Sequence, residues 1–217
     1  MNAREEIFSR IRTALADVTE PDPALDVPIE WAYQRPTPMA DVLDRFVETV
    51  EDYKALVVRV PAAEVPAQVA SLLRGAEVSS VVLPAGIDAT WRKAIVAAGI
   101  EVCEDDPPLD RMVLNQIDAV VTAAAVGVAE TGTIILDHGS DQGRRALTLV
   151  PDTHLVVVRA DQVVSDVPEA IGRLGSAVAA GSPLTWISGP SATSDIELSR
   201  VEGVHGPRNL LVILADG

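Results

Sequence analysis

The densest chemistry in the sequence lies in four short strings. The first, Gly189-Pro-Ser-Ala-Thr-Ser-Asp-Ile-Glu197, follows an apolar run from Leu184 to Ser188, and its Gly-Pro pair breaks any strand there. Ser191, Thr193 and Ser194 then offer hydroxyls and backbone N–H groups beside a predicted helix start at Asp195, an arrangement that can cradle an anion. The same hydroxyls can instead cap the next turn. The string also comes near the hydrolase elbow Gly-x-Ser-x-Gly. Thr193 stands where the last glycine belongs, however, and Asp195 and His205 lie too close in sequence to be the acid and base of that arrangement.

The second string, Glu202-Gly-Val-His-Gly-Pro-Arg208, sets an imidazole among glycines that let a ligand approach the backbone, with Arg208 able to pair a carboxylate or phosphate through both nitrogens. Its alternative is a surface turn in which His205 ties the loop to a carbonyl. In the third, Ala129-Glu-Thr-Gly-Thr-Ile134, Glu130 is a nucleophile or general base if desolvated and a solvated loop residue otherwise. The fourth, Gly139-Ser-Asp-Gln-Gly-Arg-Arg145, ends in two arginines suited to an anionic substrate or to pairing with an acidic surface. The candidate catalytic groups are therefore Glu130, Asp195 and His205. The candidate ligand contacts are Thr131, Gly132, Arg144, Gly189, Pro190, Ser191, Thr193, Ser194, Glu197, Gly206 and Arg208.

Other chemistries find no residues to carry them. The sequence has no Gly-x-Gly-x-x-Gly, Gly-Lys-Ser/Thr, His-Glu-x-x-His or Cys-x-x-Cys string. One cysteine, Cys103, permits no internal disulfide and no all-thiolate zinc or iron–sulfur site, and a zinc site would have to draw on three histidines and scattered carboxylates. Against 17 Lys and Arg stand 32 Asp and Glu, a net charge of −15, which disfavours nucleic acid and anionic lipid as partners. No apolar run has the length of a membrane span, and the first ten residues lack the order of a signal peptide, so a cytoplasmic protein is expected.

These strings need a scaffold, and 217 residues with 48% hydrophobic side chains suffice for one well-buried domain plus an extension. Asn2 is placed to cap an amphipathic helix from Ala3 to about Ala16, with Ile7, Ile11 and Leu15 on one face. Prolines 21, 23, 28, 36 and 38 make the following stretch a linker, so residues 1–38 form an arm and residues 39–217 the domain. Within the domain, helical spacing alternates with apolar runs: Ala55–Val60, Ser79–Leu83, Ile100–Cys103, Ile117–Thr122, Gly132–Leu136, Leu155–Arg159, Leu184–Ser188 and Leu210–Leu214. Pro168 to Ala180 reads as one helix. Runs that are apolar throughout, with only 3% aromatics, predict an α/β fold with a mostly parallel sheet covered by helices on both faces. In such a sheet ligands sit beyond the carboxyl ends of the strands, which points to the loops after Thr122, Leu136 and Ser188 and to the loop near the C-terminus.

Taken together in order and spacing, the Ala129 to Ile134 string, Gln142-Gly-Arg-Arg-Ala-Leu-Thr-Leu-Val-Pro-Asp-Thr-His154, the Gly189 to Glu197 string and the Glu202 to Arg208 string resemble the lactate-utilisation (LUD) domain family, in its small LutC/YkgG-type branch, over residues 39–217. The resemblance implies a NagB/RpiA/CoA-transferase-like fold and a part in oxidising L-lactate to pyruvate beside two iron–sulfur proteins. It assigns no catalytic residue. With one cysteine and no dinucleotide fingerprint, this chain is expected to hold no redox cofactor itself and to leave iron–sulfur clusters to partner subunits. Two classes of function follow. One is a subunit whose loops bind a small anion such as lactate or help assemble the complex. The other is a stand-alone enzyme of the implied fold, an acyl or CoA transferase, an isomerase or a folate cyclo-ligase-like protein, acting through Glu130.

Overall fold

The structure, a computed structural model, describes residues 2–19, 22, 36–193, 201–202 and 206–217. The chain divides into two compact units, Met1–Arg35 and Pro36–Gly217. In the first unit, α1 (Ala3–Ala14) begins at a capping box: the Asn2 side chain accepts the Glu5 N–H at 2.9 Å, and the Glu5 carboxylate accepts the Asn2 N–H at 3.0 Å.

The second unit holds a six-stranded, wholly parallel sheet. Its strands are β1 (Leu56–Pro61), β2 (Ser80–Leu83), β3 (Glu101–Glu104), β4 (Ala119–Ala123), β7 (Thr153–Arg159) and β12 (Asn209–Asp216), ordered β1-β12-β7-β4-β2-β3. Adjacent side chains point to opposite faces, so the central strands feed two cores. On β7, Leu155 and Val157 join Val69, Leu73, Ile95 and Ile213 on one face. Val156 and Val158 join Phe46, Val50, Val212 and Leu214 on the other. Both faces being covered, these strands read as unbroken apolar runs.

Helices α3 (Val65–Gly75) and α4 (Ala89–Ala97) supply the first core, and Asp88 caps α4 by accepting the Thr90 N–H at 2.7 Å. On the second face lies α2 (Val42–Asp52), started by Asp41, whose carboxylate accepts the Asp44 N–H at 3.0 Å. A short helix, α5 (Arg111–Leu114), packs Leu114 with Val82, Val120 and Leu147.

The topology differs from the sequence expectation in one respect. The runs at 132–136 and 184–188 do not enter the main sheet. They form β6 (Thr133–Leu136) and β9 (Thr185–Ile187) of a second, mixed sheet ordered β8-β5-β6-β9, with β5 (Val126–Val128) and β8 (Val163–Val164). Ile134 and Leu136 point into the core beneath the main sheet, while Ile135 packs outward with Ala170 and Leu174. An apolar run buried on both sides has the same composition in either sheet, so the pairing partner decides which sheet it joins. The helix expected over 168–180 is two, α6 (Val167–Arg173) and α7 (Gly175–Ala179); Gly172 and Gly175 flank the break. Asp166 caps α6, accepting from the Glu169 N–H at 3.0 Å and from the Thr37 N–H and hydroxyl at 2.9 and 2.7 Å. Burial opposes charge on Asp166, but the Thr37 and Glu169 donors outweigh it and hold the carboxyl below its usual range. No described helix is long and apolar enough to cross a membrane.

Candidate functional site

The Gly189 and Gly206 strings come together. The Ser191 N–H donates to the Pro207 carbonyl at 2.8 Å, and Gly206 packs beside the Ser191 side chain. Between them the backbone forms an antiparallel pair, β10 (Ala192–Thr193) with β11 (Val201–Glu202), with Thr193 opposite Val201. The loops bound a cleft of about 320 Å³, lined by Gly189, Pro190, Ser191, Gly206 and Pro207 with Arg145, Thr148, His154, Thr185, Trp186 and Ser188. Asp195, His205, Ser194 and Glu197 lie outside the described residues, as do the side chains of Thr193 and Glu202.

The cleft is at the opposite end of the main sheet from the expected one. His154 and Leu210, both in its wall, are the second residues of β7 and β12, so it opens at the amino ends of those strands. The carboxyl ends of β2, β4 and β7 carry a separate hollow of about 280 Å³, lined by Asp88, Trp91, Asp141, Arg159 and Gln162. None of the candidate catalytic groups or ligand contacts lines it, and Arg159 there pairs with Asp161 at 3.0 Å.

Position explains several motif residues without any ligand. Gly189 has φ +79°, and a β-carbon there would lie 2.5 Å from Tyr53 Cβ and 2.8 Å from the Tyr53 carbonyl oxygen. Gly132 has φ +58°, and its β-carbon would lie 2.6 Å from the Thr49 carbonyl oxygen. Both glycines thus let a loop pass against the C-terminal turn of α2, and Gly132 does not line the cleft. The adjoining turn is held there by the Thr49 hydroxyl, which donates to the Ala129 carbonyl at 2.8 Å. A chain of hydroxyls, Thr131 to Thr133 at 2.8 Å and Thr133 to Ser188 at 2.9 Å, then links that turn to the cleft wall.

The charged candidates are placed apart. Glu130 is exposed on the β5–β6 turn, so the desolvation that would make it a strong nucleophile or base is absent. Arg144 faces a different hollow, where Nε and Nη2 bond the two oxygens of Asp105 at 2.7 and 2.8 Å and Nη2 also reaches the Leu109 carbonyl at 2.6 Å. That pairing, with the Leu109 N–H, outweighs burial and holds the Asp105 carboxyl below its usual range. Arg144 therefore anchors the loop after β3, in keeping with the ion-pairing alternative read from the sequence. Arg208 pairs with Asp152 at 3.2 Å on the exposed surface, outside the cleft lining.

The cleft also uses residues outside the lists of candidate catalytic groups and ligand contacts. Arg145, next to Arg144, lines it and makes no ion pair with a described residue. His154 is 1% exposed and its Nε2 lies 2.8 Å from the Thr122 hydroxyl; burial pushes its pKa down to about 4, so the ring is neutral near pH 7. Thr185 meets His138 Nε2 at 2.8 Å, and His138 Nδ1 lies 2.8 Å from the Gly143 carbonyl. A carbonyl only accepts, so Nδ1 of His138 carries a proton and donates it to Gly143. A histidine inside an otherwise apolar strand was the available signal for His154. Nothing local distinguished Arg145 from Arg144. Among the described residues no group of three His, Cys, Asp or Glu is placed to hold a metal ion.

Residues 43–215 match the LUD domain model. The chain belongs to the LUD domain family. Its LUD domain is similar throughout to Lactate utilization protein C of Deinococcus radiodurans, with 46% identity over 212 residues that cover 98% of this chain and 95% of that protein. Shorter matches include Lactate utilization protein C of Bacillus subtilis, 33% identical over 46% of this chain and 43% of that one. The protein YkgG of Escherichia coli is 34% identical over 47% of this chain and 46% of its own length. Among solved structures, a DUF162 family protein from Deinococcus radiodurans superposes with a TM-score of 0.71 at 44% identity, covering 84% of this chain and all of that one. The α/β LUD fold described above, with its parallel six-stranded sheet, accords with that neighbour.

Proposed function

We propose that this LUD domain protein serves in L-lactate utilisation, as one component of a multi-subunit system that oxidises L-lactate to pyruvate together with iron–sulfur partner proteins. The observation that carries this reading is the 46% identity, over nearly the full length of both chains, to a protein named Lactate utilization protein C. The cleft supports it, because its size and the Arg145 guanidinium, which pairs with no described acid, suit a small monoanion. One cysteine gives this chain too few thiolates for a cluster, so electrons leaving lactate pass to groups on the partners.

The test is deletion of the gene in the native host, with growth followed on L-lactate as sole carbon source, and a tagged pull-down from the complemented strain. Loss of growth on L-lactate but not on pyruvate, with iron–sulfur proteins and lactate-dependent dye reduction in the eluate, is the expected result. Unimpaired growth, or a partner-free protein, overturns the reading. Glu130→Gln is expected to complement fully; failure to do so at normal protein levels would revive the stand-alone enzyme that acts through that carboxylate.

A further inference from the structure

Two groups of the cleft are left over once the internal contacts of the fold are counted. His154 has its Nε2 engaged by Thr122, while its Nδ1 has no hydrogen-bond partner among the described residues, although the side chain is 1% exposed. Buried polar atoms without partners are few in folded proteins, and each is destabilising unless something else meets it. Arg145 is the second group. It is an exposed guanidinium with no ion pair to a described residue, in a chain where acids outnumber bases by 32 to 17 and where its neighbour Arg144 is already in a two-point pair.

Exposure sets their places: Arg145 at the mouth and His154 in the wall. Ser188 and Pro190 also line the cleft. We propose that the cleft binds a small hydroxy- or oxo-carboxylate, Arg145 pairing its carboxylate at the mouth and Nδ1 of His154 bonding the neighbouring oxygen inside. The substrate class rests on the lactate-utilisation reading above; the site itself rests on these two residues.

The chemistry of the two groups sets the limits. A guanidinium fork matches a carboxylate in two bonds, which provides orientation as well as charge. A buried imidazole that stays neutral offers one bond to an uncharged oxygen and no charge to a second anion. A phosphate dianion would therefore find one cation for two charges inside a protein of net charge −15. A neutral isostere would leave Arg145 unsatisfied. The cleft accordingly selects a monocarboxylate with an oxygen next to the carboxyl group.

The test uses the full chain labelled with nitrogen-15 histidine, titrated separately with sodium L-lactate, pyruvate, inorganic phosphate and lactamide, the uncharged analogue of lactate. The three histidines give separate ring-nitrogen signals, assigned with the His138→Gln and His205→Gln variants. L-lactate or pyruvate is expected to shift the Nδ1 signal of His154 saturably in the wild-type protein. Arg145→Met, at an exposed position, should keep the melting temperature and weaken carboxylate binding about tenfold or more.

No shift with either carboxylate, equal binding of phosphate or lactamide, or unchanged affinity in Arg145→Met overturns the proposal. Growth of the deletion strain separates this result from the functional reading. A gene required for growth on L-lactate whose product binds neither acid sinks the ligand site alone. Carboxylate binding by the product of a dispensable gene sinks the metabolic role alone.

Discussion

At the residue scale, buried polar side chains and glycines carry the measurable consequences. His154 is neutral and buried, with a folded-state pKa of about 4 against the ordinary 6.5. The unfolded chain therefore takes up a proton that the folded chain refuses. Stability is complete above the unfolded value and falls as pH drops from about 6.5 toward 4, by up to about 3 kcal/mol for this one group. Urea unfolding at a series of pH values, compared with His154→Gln, should show a shallower acid slope in the variant; parallel slopes would remove His154 as the cause. Two glycines give a second contrast. Gly99 has φ +78° with nothing near its missing β-carbon, and Gly99→Ala should cost only the conformational term, about 1 kcal/mol. Gly189→Ala adds a collision with the Tyr53 backbone and should cost about 3 kcal/mol or more. Equal losses in denaturant melts would mean that the loop shifts away from α2 without penalty.

At the scale of elements, the site depends on α2 and on two loop anchors. The C-terminal turn of α2 receives both the Gly132 turn and the Gly189 loop, so its position sets the cleft wall. Asp105 and Arg144 fasten the loop after β3 to the start of the 3-10 turn Arg145–Thr148 that carries Arg145. Removing one partner of this part-buried pair strands the other, and Arg144→Met should lower stability by about 1 to 3 kcal/mol. Thermal melts measure that loss, and an unchanged melting temperature would show that the anchor is dispensable. Asp166 plays the same part for α6, gathering the Thr37 N–H and hydroxyl with the Glu169 N–H on one carboxylate. Helix starts such as Asn2 and Asp88 were legible in the sequence because a cap and its N–H partner are neighbours. The anchors were not, because Asp105 and Arg144 are 39 positions apart.

At the scale of the whole molecule, charge dominates. A net charge of −15 repels itself, and nine ion pairs among the described residues, most of them well exposed, offset little of it. Raising ionic strength from about 0.01 M to about 0.15 M shortens the screening length from roughly 30 Å to roughly 8 Å and should raise the melting temperature. A flat or falling melting temperature across that range would mean that attractive pairs outweigh the repulsion.

The sequence by itself determined the α/β class, the six strand runs of the main sheet, the helix capped by Asn2 and the family, because these follow from local periodicity, short-range capping and contiguous strings. Of the Gly189–Glu197 and Glu202–Arg208 strings, Gly189, Pro190 and Ser191 line one cleft with Gly206 and Pro207, while Arg208 lies outside it. Only the tertiary structure decided that β6 and β9 belong to a second sheet, that the cleft opens at the amino ends of β7 and β12, that Glu130 faces water, and that Arg145 rather than Arg144 serves it. Each of those outcomes depends on which distant segment a run or side chain meets, and pairings across tens of residues leave no periodicity in the chain to read.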